Sequence, residues 1–276
     1  MADQLVALSP EFGYLAHADT SLIYEGKVAE GLAWALRAAT GNFYVIFALT
    51  WVGEYDEARR IDERQTFWVD LAEGHFEEAI QATQRAMHLD PESEEVVATA
   101  ADYLYLAGRI DEALPLYERA LVFSPEGQAI SAPQSNFRMI WLALVRRKAG
   151  DEEGAQAAAQ IIKQDHAARH ATGRMNQEQF QIEAMIAAFE HEPDRVIAAL
   201  KSAIQHGLRN LQAFDDPIFE ELWDEPHFVA LQQELNAILA VEHHKVLQLI
   251  CFNNPVPDDW QPLPKTCEGV VAEGGN

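Results

Sequence analysis

Gly74-His-Phe-Glu-Glu-Ala79, running on to Leu89-Asp90-Pro91, and Gly108-Arg-Ile-Asp-Glu-Ala113, running on to Phe123-Ser124-Pro125, are two copies of one pattern. Gly to Gly, Ala to Ala and Pro to Pro, the offset is 34 residues. A fixed internal period is the strongest sequence signal for a fold, because stacked units bury a continuous core that no single unit can bury alone.

The second copy spells out a pair of helices. Val97, Ala100, Ala101 and Leu104 form an inner stripe, and Gly108 ends that helix in a left-handed conformation that glycine adopts at low cost. Ala113, Tyr117 and Ala120 form the stripe of the next helix, which Pro125 stops. The small residues recur where two helices cross, since close approach requires them. Pro115 falls in the early part of the second helix, where a lost backbone bond is tolerated best. Residue by residue these positions resemble the tetratricopeptide repeat, over roughly residues 10–207. The resemblance implies an all-α, right-handed superhelix of about five repeats with a protein-binding concave face.

Outward from the centre the register loosens. Phe76, Ala79, Ala86 and Pro91 repeat the second-helix pattern. Gly26-Lys-Val-Ala-Glu-Gly31 with Ala38 is a weaker copy, preceded by a helix capped at Ser9-Pro10. Gly53-Glu-Tyr-Asp-Glu-Ala58 is a clear copy, yet Gly53 lies 21 residues before Gly74, so 13 residues of the period are missing. Residues 54–73 are therefore expected as one continuous helix or two very short ones. Downstream, residues 127–136 read as an enlarged loop. The pattern then resumes with Trp141-Leu-Ala-Leu144, Gly150, Ala155 and Ala159. A degraded pair follows (Phe180, Ala184, Ala187, then Val196, Leu200, Ala203), with His191 where the turn glycine belongs.

Phe214-Asp-Asp-Pro217-Ile-Phe-Glu-Glu-Leu222-Trp-Asp-Glu-Pro226-His-Phe228-Val-Ala-Leu231 resembles the closing cap of a bacterial group that joins such repeats to class III adenylate cyclase, winged-helix regulator or kinase modules. The resemblance implies either a stand-alone repeat array or the C-terminal repeat region of a signalling effector. Phe219, Leu222, Phe228 and Leu231 can cover the last repeat's apolar face. Residues 226–251 read as one long helix with Leu231, Leu235, Ile238, Val246 and Leu249 near one face. The domains expected are an array over 1–207, capping helices over 208–252 and an irregular or disordered Pro-rich tail over 253–276.

Composition narrows the function. A net charge of −24 repels phosphate backbones, so direct nucleic-acid binding is disfavoured and basic or apolar protein segments are favoured. The apolar run at 43–52 is too short to cross a bilayer as a helix, and Gly41-Asn42 precedes it, so no membrane insertion is expected. Two cysteines, Cys251 and Cys267, make no disulfide framework, and with an N-terminus unlike a signal peptide they suggest a reducing cytoplasm. No nucleotide loop, nucleophile elbow or zinc-protease motif occurs, so neither enzyme activity nor a cofactor is expected. His166 and His170 have the spacing of two metal ligands but lack an evident third, and no metal site is assigned. His243-His244 reads as solvated, the acidic runs including Asp215-Asp216 as caps and solvated faces, and Arg146-Arg147-Lys148 as charge complementing a helix C-terminus.

The candidate partner-binding groove lies on the first helix of each pair, between the packing positions: Phe43, Tyr44, Phe47 and Trp51, then Trp68, then Asp102 and Tyr105, then Ile140, Trp141, Leu144 and Arg147. Ala98 and Asp102 stand where carboxylate-gripping relatives carry Lys and Asn, which disfavours a clamp for a C-terminal tail. An adaptor or regulatory module binding an apolar or basic protein segment is the leading reading. A homodimerisation module and, further off, an enzyme on a helical scaffold through His166 and His170 are the alternatives.

Overall fold

The computed structural model describes residues 22–38, 42–62, 67–120, 135–173, 175–252 and 261–272. Among them every regular element is a helix. The α-helices are α1 (Val28–Ala38), α2 (Asn42–Trp51), α3 (Tyr55–Ile61), α4 (Phe67–Ala72), α5 (Phe76–Leu89), α6 (Glu94–Leu106), α7 (Ile110–Ala120), α8 (Ser135–Lys148), α9 (Glu152–Ala171), α10 (Gln177–Phe189), α11 (Pro193–Gln205) and α12 (Pro226–Phe252). Two 3-10 helices, Leu211–Phe214 and Pro217–Leu222, precede α12. The Ser9-Pro10 cap and most of the enlarged loop fall outside the described residues.

Consecutive helices pack as pairs, and α6 touches α8 while α8 touches α10, the neighbour pattern of a helical repeat. The chain forms two compact units, one of Met1–Glu73, Ile204–Leu211 and Gln232–Asn276, the other of Gly74–Ala203 and Gln212–Leu231.

In the second unit the central pair follows the sequence pattern closely. Ser93 caps α6, its Oγ accepting the Val96 N–H, and Glu94 and Glu95 meet the positive end of the helix dipole. Val97, Ala100, Ala101 and Leu104 are buried against Ala113, Tyr117 and Ala120 of α7. Burying Tyr117 contributes on the order of 2–3 kcal/mol from its apolar area. Pro115 stands inside α7 without ending it. The turn glycines Gly74, Gly108 and Gly150 have φ of 76°, 73° and 86°, and His191 takes the same left-handed conformation at 58°. The repeat turn is thus retained without its glycine, at a steric cost to a side chain with a Cβ.

In the first unit the compressed stretch resolves into two very short helices, α3 and α4. A seven-residue helix is unstable alone, so tertiary contacts hold it. Ala58 and Val69 are buried in the core built on α1 and α2. Arg59 donates to Asp70 at 2.9 Å and also pairs with Glu73. Over residues 232–252 the buried stripe of α12 runs Leu235, Leu239, Glu242, Val246 and Ile250, with Ile238 and Leu249 half-buried at its edge. Glu242 is buried because it accepts the Ala29 N–H in the first turn of α1.

Two expectations, on the cysteines and on His243, are corrected in this unit. Cys251 and Cys267, too few for a disulfide framework, are nevertheless joined to each other in a disulfide. Residues 261–272 are irregular but anchored, by bonds to Glu57, Arg60 and Gln248. His243 is not free in solvent, since its Nε2 lies 2.6 Å from Glu54 Oε1. No described helix is long and apolar enough to cross a membrane.

Candidate functional site

Apart from Thr50, whose hydroxyl donates to the Ile46 carbonyl, residues 43–51 of α2 are apolar or aromatic, so the helix has both a buried and a surface-facing apolar side. Val45, Ile46, Ala48 and Leu49 point into the core. Phe43, Phe47 and Trp51, four residues apart, stack along the other side. The Phe43 and Phe47 rings are 5.8 Å apart and nearly parallel, and Phe47 to Trp51 is 4.5 Å. Tyr44 meets Phe43 edge-on at 5.3 Å. Tyr24 extends the ladder, 6.3 Å from Phe47 and 6.2 Å from Trp51. Trp51 is buried and Phe47 and Tyr44 are half-buried, while Phe43 keeps 39 % and Tyr24 42 % of its surface exposed. Trp68 belongs to α4, but its side chain lies outside the described residues.

The candidates on α6 and α8 are differently placed. Ile140 and Leu144 are buried in packing, and so is Ala98. Tyr105 is completely buried, stacked on Trp141 with ring centroids 5.3 Å apart. Both point their polar atoms at one carboxylate of the chain itself. Tyr105 Oη donates to Asp216 Oδ1 at 2.6 Å, and Trp141 Nε1 donates to Oδ2 at 2.7 Å. The Ile218 N–H adds a third bond to Oδ1 at 2.9 Å, which makes Asp216 the N-cap of the second 3-10 helix. Burial pushes the Asp216 carboxyl above its ordinary value, against the pull of these donors. Ile218 and Phe219 follow it into the core, and Phe219 and Phe214 pack on Phe228. The cap therefore holds the aromatic pair that the sequence offers as groove lining. Asp216 is a buried latch, and only its capping role matches the reading of that acidic run.

Asp102 is the second buried carboxylate. Arg138 Nε donates to its Oδ2 at 2.9 Å and Tyr117 Oη to its Oδ1 at 3.0 Å. Arg138, 7 % exposed, also grips Glu95 with two bonds of 2.9 Å. Burial pushes Asp102 up to about 6, and Arg138 and Tyr117 hold it down only in part. Burial also works against the charge of Arg138, but Glu95 and Asp102 more than offset it and raise its affinity for its proton. Asp102 thus joins α6, α7 and α8 instead of facing a ligand.

The basic run is likewise engaged within the unit. Arg147 stacks its guanidinium 3.5 Å over the Phe189 ring and donates to the Phe189 carbonyl at 2.6 Å. Arg146 reaches Glu118 and Asp151, and Lys148 reaches Glu220 at 2.9 Å. His166 is buried and His170 exposed, and no group of three or more candidate ligands that could hold a metal occurs among the described residues.

The sequence does not flag Arg138 or Asp216 as organising residues. Asp216-Pro217 carries a capping signal, but nothing local to it points to residues 105 and 141.

A family model of the tetratricopeptide repeat matches residues 70–132. That span begins in α4, contains α5 to α7, and centres on the 34-residue echo. A search of curated proteins finds no match to the chain. Within that span the chain carries a tetratricopeptide repeat, a unit that commonly serves protein–protein interaction and whose family is typically non-catalytic.

Proposed function

We propose that this chain is a non-enzymatic interaction module that buries an apolar or basic protein segment against the aromatic side of α2. The observation that carries this reading is the exposed edge of the ladder, Phe43 and Tyr24, continuous with Phe47 and Trp51. Aromatic side chains are preferred anchors in protein interfaces. Rings already stacked on each other have little freedom left to lose on binding. The net charge of −24 steers basic flanks of a partner toward the chain. In this reading residues 1–207 act as the repeat array, 208–252 as its cap and 253–276 as a tail. The likeness of the cap to that of bacterial signalling proteins supports an adaptor or regulatory role. Tyr105 and Trp141 serve the cap, so the binding face narrows to α2.

The test is quantitative capture from extracts of the source cells by wild type, by Phe43→Ala/Tyr44→Ala and by Leu89→Ala, an exposed control in the other unit. Loss of the same captured proteins in the double variant alone is expected. Equal capture by all three would remove the reading.

A second reading, self-association, is favoured by Val241 and Phe252 on α12, which are 56 % and 44 % exposed. Light scattering across a concentration series separates the two, because a persistent monomer excludes self-association.

A further inference from the structure

We propose that residues 261–272 form a redox-releasable strap over α3, fastened by Cys251–Cys267 and released when that disulfide is reduced. The strap supplies what the compressed repeat lacks. α3 is seven residues long, and its Glu57 is completely buried although it carries a carboxylate. The partners that permit this come largely from the strap. Glu57 Oε1 accepts the Leu263 N–H at 2.6 Å and the Thr266 hydroxyl at 2.6 Å, while Oε2 takes Arg60 at 2.8 Å. Arg60 also donates to the Gln261 carbonyl at 3.1 Å, and Lys265 pairs with Asp56. At the far end Gln248 donates to the Val271 carbonyl at 2.6 Å.

Apart from the two bonds to Glu57, the non-covalent grip is weak. Lys265 and Asp56 are well exposed, and such a pair contributes little in water. Undocking would also return a fully buried carboxylate to solvent, where it is well hydrated, so release is not opposed by the charge. The covalent tie therefore decides the docked population. It joins Cys267 to Cys251 near the end of α12, with the Cα atoms 5.7 Å apart. Both cysteines are partly exposed, within reach of a small reductant.

The reductant class is a dithiol. One of its thiolates attacks a sulfur of the Cys251–Cys267 bond and forms a mixed disulfide, and its second thiol displaces the protein thiol. The protein gains two S–H groups, and the dithiol leaves as its own disulfide, having given up two electrons and two protons. The freed strap stays attached through the chain after Phe252, so it remains at high local concentration and release is graded. In the released form α3 presents Glu57 to solvent, and the already exposed Asp56 and Arg60 lose their strap partners.

Hydrogen exchange on the full chain, oxidised and then treated with dithiothreitol, tests this. The Leu263 and Thr266 amides, bonded to Glu57 and to the Leu263 carbonyl, are expected to exchange about tenfold faster or more after reduction. Amides of α1 and α2 should keep their rates, and reoxidation should restore protection. The variant Cys267→Ser without reductant should reproduce the reduced pattern. Unchanged protection at Leu263 in either reduced or variant protein would overturn the proposal. Loss of protection throughout α1 and α2 would also overturn it, since the disulfide would then hold the unit together instead of gating a strap.

Discussion

Replacing Asp216 with Ala removes one side chain from three partners at once. The Tyr105 hydroxyl, in a completely buried residue, loses its acceptor at 2.6 Å, and the Trp141 indole N–H loses its own at 2.7 Å. The second 3-10 helix loses its N-cap bond from Ile218. A buried hydroxyl left without a partner costs about 1–3 kcal/mol, and a lost cap about 1 kcal/mol. The half-buried indole can recover part of its loss through water. Against this stands relief of a buried carboxylate that has no cation among its partners. The balance is a destabilisation of about 2–4 kcal/mol. Asp216→Asn keeps an acceptor for Tyr105 and Ile218 but sets an amide donor against the Trp141 donor, for a cost of about 1–2 kcal/mol. Tyr105→Phe should cost about 1.5–2 kcal/mol, the loss of one bond to a charged group. Because both substitutions break the same bond, Tyr105→Phe added to Asp216→Ala should cost less than their sum by about 1 kcal/mol. Urea unfolding, with exchange of the α6 and α8 amides to report on that unit, gives these values. An Asp216→Ala protein within about 0.5 kcal/mol of wild type would refute the latch.

Three further outcomes follow from the same structure. His191→Gly should stabilise the protein by about 0.5–1 kcal/mol in urea unfolding, since glycine removes the cost of φ 58° and the bond to Glu221 is exposed; a drop in stability would contradict this. Gly207→Ala should destabilise by about 2–4 kcal/mol, because a Cβ there would stand 2.5 Å from the Tyr24 carbonyl oxygen at φ 106°; an unchanged urea midpoint would show that the turn can yield. The third concerns pH. Asp102 has a folded pKa of about 6 against an ordinary 3.8, so the fold binds its proton more tightly than the unfolded chain does. Its contribution is present below about pH 4 and is lost as pH rises through 6, an effect on the order of 2–3 kcal/mol. The Glu95 carboxyl, held low by Arg138, acts with the opposite sign at more acidic pH. The stability difference between wild type and Asp102→Asn should therefore shift against wild type from pH 4 to 7, and a shift in its favour would show that burial does not govern this carboxylate.

The repeat was legible because its determinants are local. Ala100, Ala101, Ala113 and Ala120 are small where helices cross, and Gly108 turns where the chain must reverse, so spacing alone displays them. The compressed stretch was legible as a deficit, though not as a choice between one helix and two. The candidate groove was legible only by projection. Position along α6 and α8 cannot reveal that Tyr105 and Trp141 meet Asp216, 111 and 75 residues away, since no periodicity links them. The disulfide escaped for a similar reason. Two cysteines 16 residues apart say nothing of whether the chain folds back to join them. His191 keeps a glycine's turn, at φ 58°, between two helices whose inner faces are buried, and that burial lies outside the local sequence around position 191.

The most direct test of the proposed function is photo-crosslinking in the source cells, with a photoreactive phenylalanine analogue placed at position 43, at position 47 and, as a control in the other unit, at position 89. The account predicts a discrete adduct with the same partner protein from positions 43 and 47, lost on Tyr44→Ala, and none from 89. Equal labelling from all three positions, or none from α2, would contradict it.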